Sequence, residues 1–366
     1  MPARGQKTSA PKQVVYLWGA GATQAEISYL GAHKVSLLMR DSDELGPGVA
    51  NRILEKLPER WKSSFVVDRG TDIEKLISLL AASNVATYHR LADTIRKLYF
   101  EDIVRNLATA KVLENPQLAI GLLTLHGNHQ FRRQEMLSGI ITTNHDGLLQ
   151  VAAQRVHAQV NIGIPFRSKD FTPDTIEGVP LLHLHGSFTW TFDLPIKVSL
   201  LHEASAYSRD TVWIPPTILK ESKNYPFNKL AGIAYELLSK RCDVLRVVGS
   251  ALTQNDWNVL SMIFNAQRHR ELTNGTPFRI ELIMHHKPGV EITQNCSYLK
   301  NLFPIGYLTD GDFDAYKDED DAGLTSEMKN PLFYWMKQKI QFHQNQGQLG
   351  AAPIDPATAR ITGDIP

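Results

Sequence analysis

The sequence predicts an α/β protein built on a doubly wound parallel sheet, with a large helical insertion after its first strand and helix. Three observations carry this. An apolar strand at 13–18 (QVVYLW) runs into a glycine-rich turn, strand-like and helical runs alternate from about 138 to 285, and between about 45 and 136 helical spacing takes over. Regular alternation of β and α favours parallel strands joined by crossover helices, because each apolar face is then covered by the element that follows it.

Taken in order, the glycine pair Gly19 and Gly21 makes a tight turn after the first strand, and Thr23 is placed to cap a helix over 24–30. Residues 34–40 (KVSLLMR) read as a second strand ending at Asp41. Within the insertion, Pro47 suits a first helical turn, Thr71 and Glu74 form a capping box for 72–82, and apolar spacing through 87–110 suggests one or two long helices. No glycine occurs between Gly70 and Gly121. Strand signals return at 138–143 (SGIITT), followed by a helix from Asp146 to about His157 and a strand at 179–185 (VPLLHLH). A helix over 228–240, a strand at 243–248 (DVLRVV), a helix at 255–268 and a strand at 278–285 (FRIELIMH) complete the pattern. The expected architecture is a Rossmann-like domain over 13–344, assembled from 13–41 and 138–310, with the insertion at about 45–136 and a terminal helix near 326–344. The polar, Pro-, Gly- and Ala-rich ends, 1–12 and 345–366, read as flexible tails.

Composition narrows the function classes. With 366 residues, 43% of them hydrophobic, and a formal net charge of +1, the chain has an ordinary core and no strong electrostatic footprint for nucleic acid or an anionic membrane. No apolar run approaches the ~20 residues of a membrane span, and the N-terminus lacks the apolar stretch of a secretory signal, so the expectation is a cytoplasmic protein. Cys242 and Cys296 are the only cysteines, which fits a reducing compartment and excludes a four-cysteine zinc site.

Four motifs fall at the ends of predicted strands, where ligands bind in open α/β sheets. Gly19-Ala20-Gly21-Ala22-Thr23 lets a backbone approach a pyrophosphate beside the free N–H groups of a helix start, although Gln24 holds the place of the usual third glycine. Asp41 is a candidate either for a ribose hydroxyl or for a loop cap. Thr142-Thr143-Asn144-His145-Asp146 offers polar side chains at a strand end, and Asn and Asp there also suit a turn and an N-cap. Leu184-His185-Gly186-Ser187 brings an imidazole into the crevice beside a glycine, whereas His183, two residues earlier, fits a structural role. Val248-Gly249-Ser250, with Thr253 and Asp256 at the next helix start, suits the adenosine side of a dinucleotide or an ordinary strand-to-helix turn. A second Leu-His-Gly, at 125–127, reads as a loop between helices.

As an ordered set over roughly 13–285, these motifs resemble the sirtuin-like family, and the segment 45–136 looks like the helical insertions of bacterial sirtuin-like defence proteins. The resemblance implies NAD⁺ as substrate. It implies phosphate contacts at Gly19, Ala20, Gly21 and Thr23, a nicotinamide-ribose environment at Thr142, Asn144 and Asp146, and a catalytic base at His185 followed by Gly186. It further implies ribose or phosphate contacts nearer adenine at Gly249 and Ser250. Protein-deacylating members carry two cysteine pairs around zinc, which this chain cannot supply, so water is the expected acceptor and the expected activity is that of an NAD⁺ glycohydrolase. By the same resemblance the protein is expected to deplete NAD⁺ in anti-phage defence by abortive infection, as a homo-oligomer held in check by assembly. A HerA-type ATPase or an Argonaute-like protein is an implied partner.

Alternatives remain open in the residues. The glycine turn with Asp41 also partly fits an NAD-dependent oxidoreductase, and the fold also suits a non-catalytic NAD- or ADP-ribose-binding assembly subunit. The chain has no Gly-x-x-x-x-Gly-Lys-Ser/Thr phosphate loop, so any ATPase activity belongs to another subunit. Asp310-Gly-Asp-Phe-Asp314 begins like a calcium loop, but Ala315 and Asp321 hold the places of Gly and Glu, and His285-His286 has no further ligand at metal-site spacing. No metal is expected.

Overall fold

Val14 to Trp18 are buried without interruption, as a central strand with both faces covered requires. The computed structural model describes residues 10–32, 34–41, 45–62, 73–114, 116–169, 177–193, 195–199, 210–217, 220, 223–284, 308–309, 332, 335 and 336. Along the chain the strands are β1 (Lys12–Trp18), β2 (Glu135–Thr142), β3 (Val160–Asn161), β4 (Phe166–Arg167), β5 (Val179–His183), β6 (Gly186–Thr191), β7 (Ile196–Val198), β8 (Thr211–Trp213), β9 (Val244–Val248), β10 (Arg279–Ile283) and β11 (Leu308–Thr309). The helices are α1 (Ala20–Tyr29), α2 (Val49–Glu55), α3 (Glu59–Lys62), α4 (Ile73–Ala82), α5 (Ala86–Thr109), α6 (Gln117–Gly127), α7 (His129–Arg132), α8 (Leu148–Arg155), α9 (Phe227–Lys240) and α10 (Trp257–Asn274).

Seven strands form one parallel sheet in the order β11-β10-β9-β1-β2-β5-β3. The chain builds β2, β3 and β5 on one side of β1, then returns to lay β9 to β11 on the other. That reversal leaves a crevice between the loops that follow β1 and β9, the switch point at which open α/β sheets bind ligands. The sheet class, the parallel pairing and the helical insertion all agree with the sequence reading.

Several local expectations need correction. The helix after the glycine turn begins at Ala20 with Gly19 as its N-cap, so Thr23 lies inside its first turn and does not cap it. Residues 34–40 are not a strand. The place beside β1 goes to β2, and the side-chain amide of Gln24 serves in place of a ladder, donating to the Val35 carbonyl at 2.9 Å and accepting from the Leu37 N–H at 2.7 Å. The spacing over 87–110 is one continuous helix, α5. Leu125-His126-Gly127 is the last turn of α6 and not a loop, and His126 Nε2 shares a hydrogen bond of 2.8 Å with the Tyr16 hydroxyl. A second, four-stranded sheet in the order β4-β7-β6-β8 was not expected.

The insertion has two parts. The apolar helix α6 packs on α1, α8 and β2, and is buried nearly all round. It starts at Pro116 with no side-chain cap of its own. Glu26 of α1 supplies that cap from a distance, accepting the N–H groups of Leu118 (3.0 and 2.9 Å) and Ala119 (3.0 Å). Helices α2 and α4 each pack on α5. Phe100 of α5 meets Phe188 of β6 at 4.6 Å, and Tyr99 stacks on Trp213 of β8 at 5.9 Å, which seats this group against the small sheet.

Leu332, Trp335 and Met336 of the expected terminal helix are helical and buried. Residues 1–9 and 345–366, Thr71, Cys296, the His285-His286 pair and the 310–321 acidic loop lie outside the described residues. Among the described residues no helix is long and apolar enough to cross a membrane.

Candidate active site

The site is built on two loops that touch. The Gly19 N–H donates to the Val248 carbonyl at 2.9 Å, the Gly21 N–H to the Gly249 carbonyl at 2.8 Å, and the Gly249 N–H to the Ile283 carbonyl at 2.9 Å. A Cβ on Gly21 would stand 2.7 Å from the Gly249 oxygen, and one on Gly249, whose φ is +58°, would stand 2.1 Å from the Ala22 nitrogen. These glycines are therefore required by each other. The close approach holds the start of α1 at the floor of the crevice, but it engages the N–H groups expected to be free for a phosphate: the Gly21 N–H is on Gly249, and the Ala22 N–H bonds back to the Gly19 carbonyl at 3.0 Å.

The strand end of β2 is tied to the same floor. Thr142 donates to the Trp18 carbonyl at 2.9 Å and accepts the Asn144 N–H at 3.0 Å. Asn144 Nδ2 donates to the Gly19 carbonyl at 3.0 Å and to the Thr23 hydroxyl at 2.9 Å, and Thr23 in turn donates to Asp146 Oδ2 at 2.9 Å. Asp146 Oδ1 accepts the Leu148 N–H at 3.1 Å, at the start of α8. Burial raises the Asp146 carboxyl above its ordinary range, and the hydrogen bonds from Leu148, Thr23 and Asn144 pull against that rise.

His185 lies in the two-residue turn between β5 and β6. Its position is set by backbone bonds on either side, from the Leu184 N–H to the Thr142 carbonyl at 2.9 Å and from the Ile214 N–H to the His185 carbonyl at 2.8 Å. The residue is 3% exposed, and its Nε2 has no hydrogen-bond partner among the described residues. Burial first, and the nearby Lys220 charge second, hold the imidazole well below its ordinary range, so it is neutral at physiological pH. His145 stands 6.2 Å away ring to ring, bonded through Nε2 to the Ile214 carbonyl at 2.9 Å and stacked on Phe188 at 5.0 Å. His183 points to the structural side, with Nδ1 at 3.2 Å from the Asn144 carbonyl, its ring packed on Trp190, and its pKa lowered by burial to about 4.

These groups surround a cavity of about 680 Å³, within the size range of small-molecule sites. Ala20, Gly21, Thr23, Asn144, Asp146 and His185 share its wall, with Gly249 and Ser250 on the β9 side. Gly19, Thr142 and Gly186 stand behind the wall. Gly186, at φ +73°, is needed because a Cβ there would lie 2.2 Å from the Val212 carbonyl oxygen of β8. Asp41 is also on the wall, with one oxygen accepting the Gly48 N–H at 2.7 Å and the other Asn51 Nδ2 at 2.5 Å, so it acts as a loop cap before α2.

No family model matches this chain, and no curated protein matches it. What the site can do is read from its own chemistry. Among the described residues no three His, Cys, Asp or Glu side chains gather as a metal-ligand set.

The insertion contributes to the wall through Glu74, Tyr99 and Ile103, and the segment after β8 contributes Lys220. Sequence reading did not find Lys220 or Tyr99 and took Glu74 for a helix cap alone. Lys220 sits in no motif, and Tyr99 occupies one position of a helical period; only the folding of the insertion and of the segment after β8 over the crevice brings them to its wall.

Proposed function

We propose that this chain is a sirtuin-like NAD⁺ glycohydrolase, cleaving the nicotinamide–ribose bond with water as acceptor. The observation that carries the reading is His185: a neutral, buried imidazole on the wall of a dinucleotide-sized cavity, whose Nε2 has no hydrogen-bond partner among the described residues. Its neighbours on that wall, Asn144 and Asp146, are locked in place by Thr23 and the glycine turn. The chemistry itself calls for no metal, because the leaving group is already activated by its positive charge.

In the proposed step the C1′–N bond breaks with its electron pair staying on nicotinamide, which leaves neutral. A water oxygen bonds to C1′, and the proton it releases passes to His185 Nε2 and then to solvent. Asp146 offers negative potential to the positive charge that develops on the ribose, and Asn144 keeps its Oδ1 for a ribose hydroxyl or the water. General-base help of this kind is worth roughly 10²–10⁴-fold in rate.

The test is chromatography of the purified chain incubated with NAD⁺, beside His185→Ala and Asn144→Ala. Nicotinamide and ADP-ribose are expected from the wild type, with a His185→Ala protein that still folds slower by at least about a hundredfold. Full activity in a folded His185→Ala protein sinks the assignment. NAD⁺ that is bound and left intact by the wild type points instead to a non-catalytic binding subunit.

A further inference from the structure

Lys220 is a buried cation with donors to spare. Its side chain is 6% exposed, and among the described residues one of the three N–H groups of its ammonium is used, on Asp256 Oδ1 at 2.7 Å. The Glu74 carboxylate lies 3.8 Å from the ammonium, beyond hydrogen-bond length, and Glu74 accepts a hydrogen bond from Asn255 Nδ2. Two N–H groups of a buried charge thus have no protein acceptor among the described residues, an arrangement that favours an acceptor arriving in the cavity. Lys220, Glu74, Asn255 and Asp256 all line that cavity, as do Ala20 and Gly21 at the start of α1.

We propose that Lys220 is an anion-binding residue of the cavity, donating its two unused N–H groups to phosphate oxygens of a bound nucleotide. The identity of that nucleotide rests on the reading given above; the anion site does not. Four carboxylates, Asp41, Glu74, Asp146 and Asp256, share the wall with two cations, the exposed Arg40 and the buried Lys220, so a phosphate enters an unfavourable field except beside those cations. The bond to Asp256 is kept on binding. Glu74 keeps Asn255 and gives up only its long contact, which makes the helical insertion, through α4, the element that adjusts how strongly the anion is held.

Isothermal titration of the full chain with ADP-ribose and with inorganic pyrophosphate tests this. Lys220→Met should weaken both by about tenfold or more, and Lys220→Arg should restore most of the affinity. Glu74→Gln, which removes a repelling charge but keeps an acceptor for Asn255, should tighten both ligands severalfold. Unchanged affinity in a folded Lys220→Met protein overturns the proposal, as does a wild type that binds neither probe. If Lys220→Met fails to fold, Glu74→Gln decides alone, and unchanged or weaker binding there overturns it. Binding that depends on Lys220 in a chain that leaves NAD⁺ intact sinks the hydrolase reading only. NAD⁺ cleavage with an unchanged KM in Lys220→Met sinks this proposal only.

Discussion

At His185 the fold keeps an imidazole nitrogen out of water without giving it a partner among the described residues. Leaving a buried polar atom unpaired costs on the order of 1–3 kcal/mol, a cost recovered only if something in the cavity bonds to it. The lowered pKa has a definite sign for catalysis. A base must be neutral to accept a proton, and burial keeps His185 neutral to well below the ordinary imidazole range. The rate of NAD⁺ cleavage, as kcat/KM, should therefore stay level from about pH 8 down through 6.5 and fall only in more acid solution. A pH–rate profile with its acid limb at or above 6.5 would assign the base elsewhere. The neighbouring triangle of Thr23, Asn144 and Asp146 explains why a threonine hydroxyl is needed inside α1: it accepts from one side chain and donates to the other.

Among the elements, α1 does most to join the parts of the molecule. Its first turn meets the β9 loop, Gln24 holds the 35–37 segment, and Glu26 caps α6. Desolvation lifts the Glu26 carboxyl to about 7, against the opposing pull of the α6 N–H groups. A carboxyl whose pKa is raised on folding stabilises the fold most while protonated. Its contribution is full below the unfolded value near 4.5 and is lost as pH rises toward 7, an effect of about 3 kcal/mol. Buried His126, lowered to about 3, and His183 act in the opposite direction, losing stability as the solution becomes acid, so the wild-type profile mixes the two. The difference between Glu26→Gln and wild type isolates the first. In urea unfolding, the variant's relative stability should rise by about 3 kcal/mol between pH 4.5 and 7.5, and a pH-independent difference would show that Glu26 titrates normally.

For the whole molecule, the sheet is pinned by one buried cation. Arg246 of β9 lies beside Tyr16 of β1 and Glu281 of β10, and it donates to both oxygens of Glu135 at 2.5 and 2.8 Å and to Glu281 at 2.7 Å. The ring of Trp335 lies 4.8 Å from its guanidinium carbon, so that side chain is docked on the same charge. Removing the cation leaves two half-buried carboxylates facing each other. Arg246→Met should lower the unfolding free energy by about 3 kcal/mol or more, while ADP-ribose titration of the folded protein stays near wild type. An unchanged denaturation midpoint would mean that the network contributes nothing net.

The sequence by itself determined the parallel α/β class, the helical insertion and the positions of the four motifs, because these follow from local apolar periodicity and from turn chemistry. It did not determine that 35–38 stays out of the sheet, since that depends on Gln24 reaching across from another element and on β2 occupying the place beside β1. It did not reveal the small sheet, whose strands of two to six residues carry too little pattern and close only against each other and α5. The site divides in the same way. His185, Asn144 and Asp146 were legible because strand ends carry them, but the mutual need of Gly21 and Gly249 and the placing of Lys220 and Glu74 on the cavity wall were decided by tertiary structure alone. They arise where segments more than a hundred residues apart are brought within bonding distance, and no local pattern records such an approach.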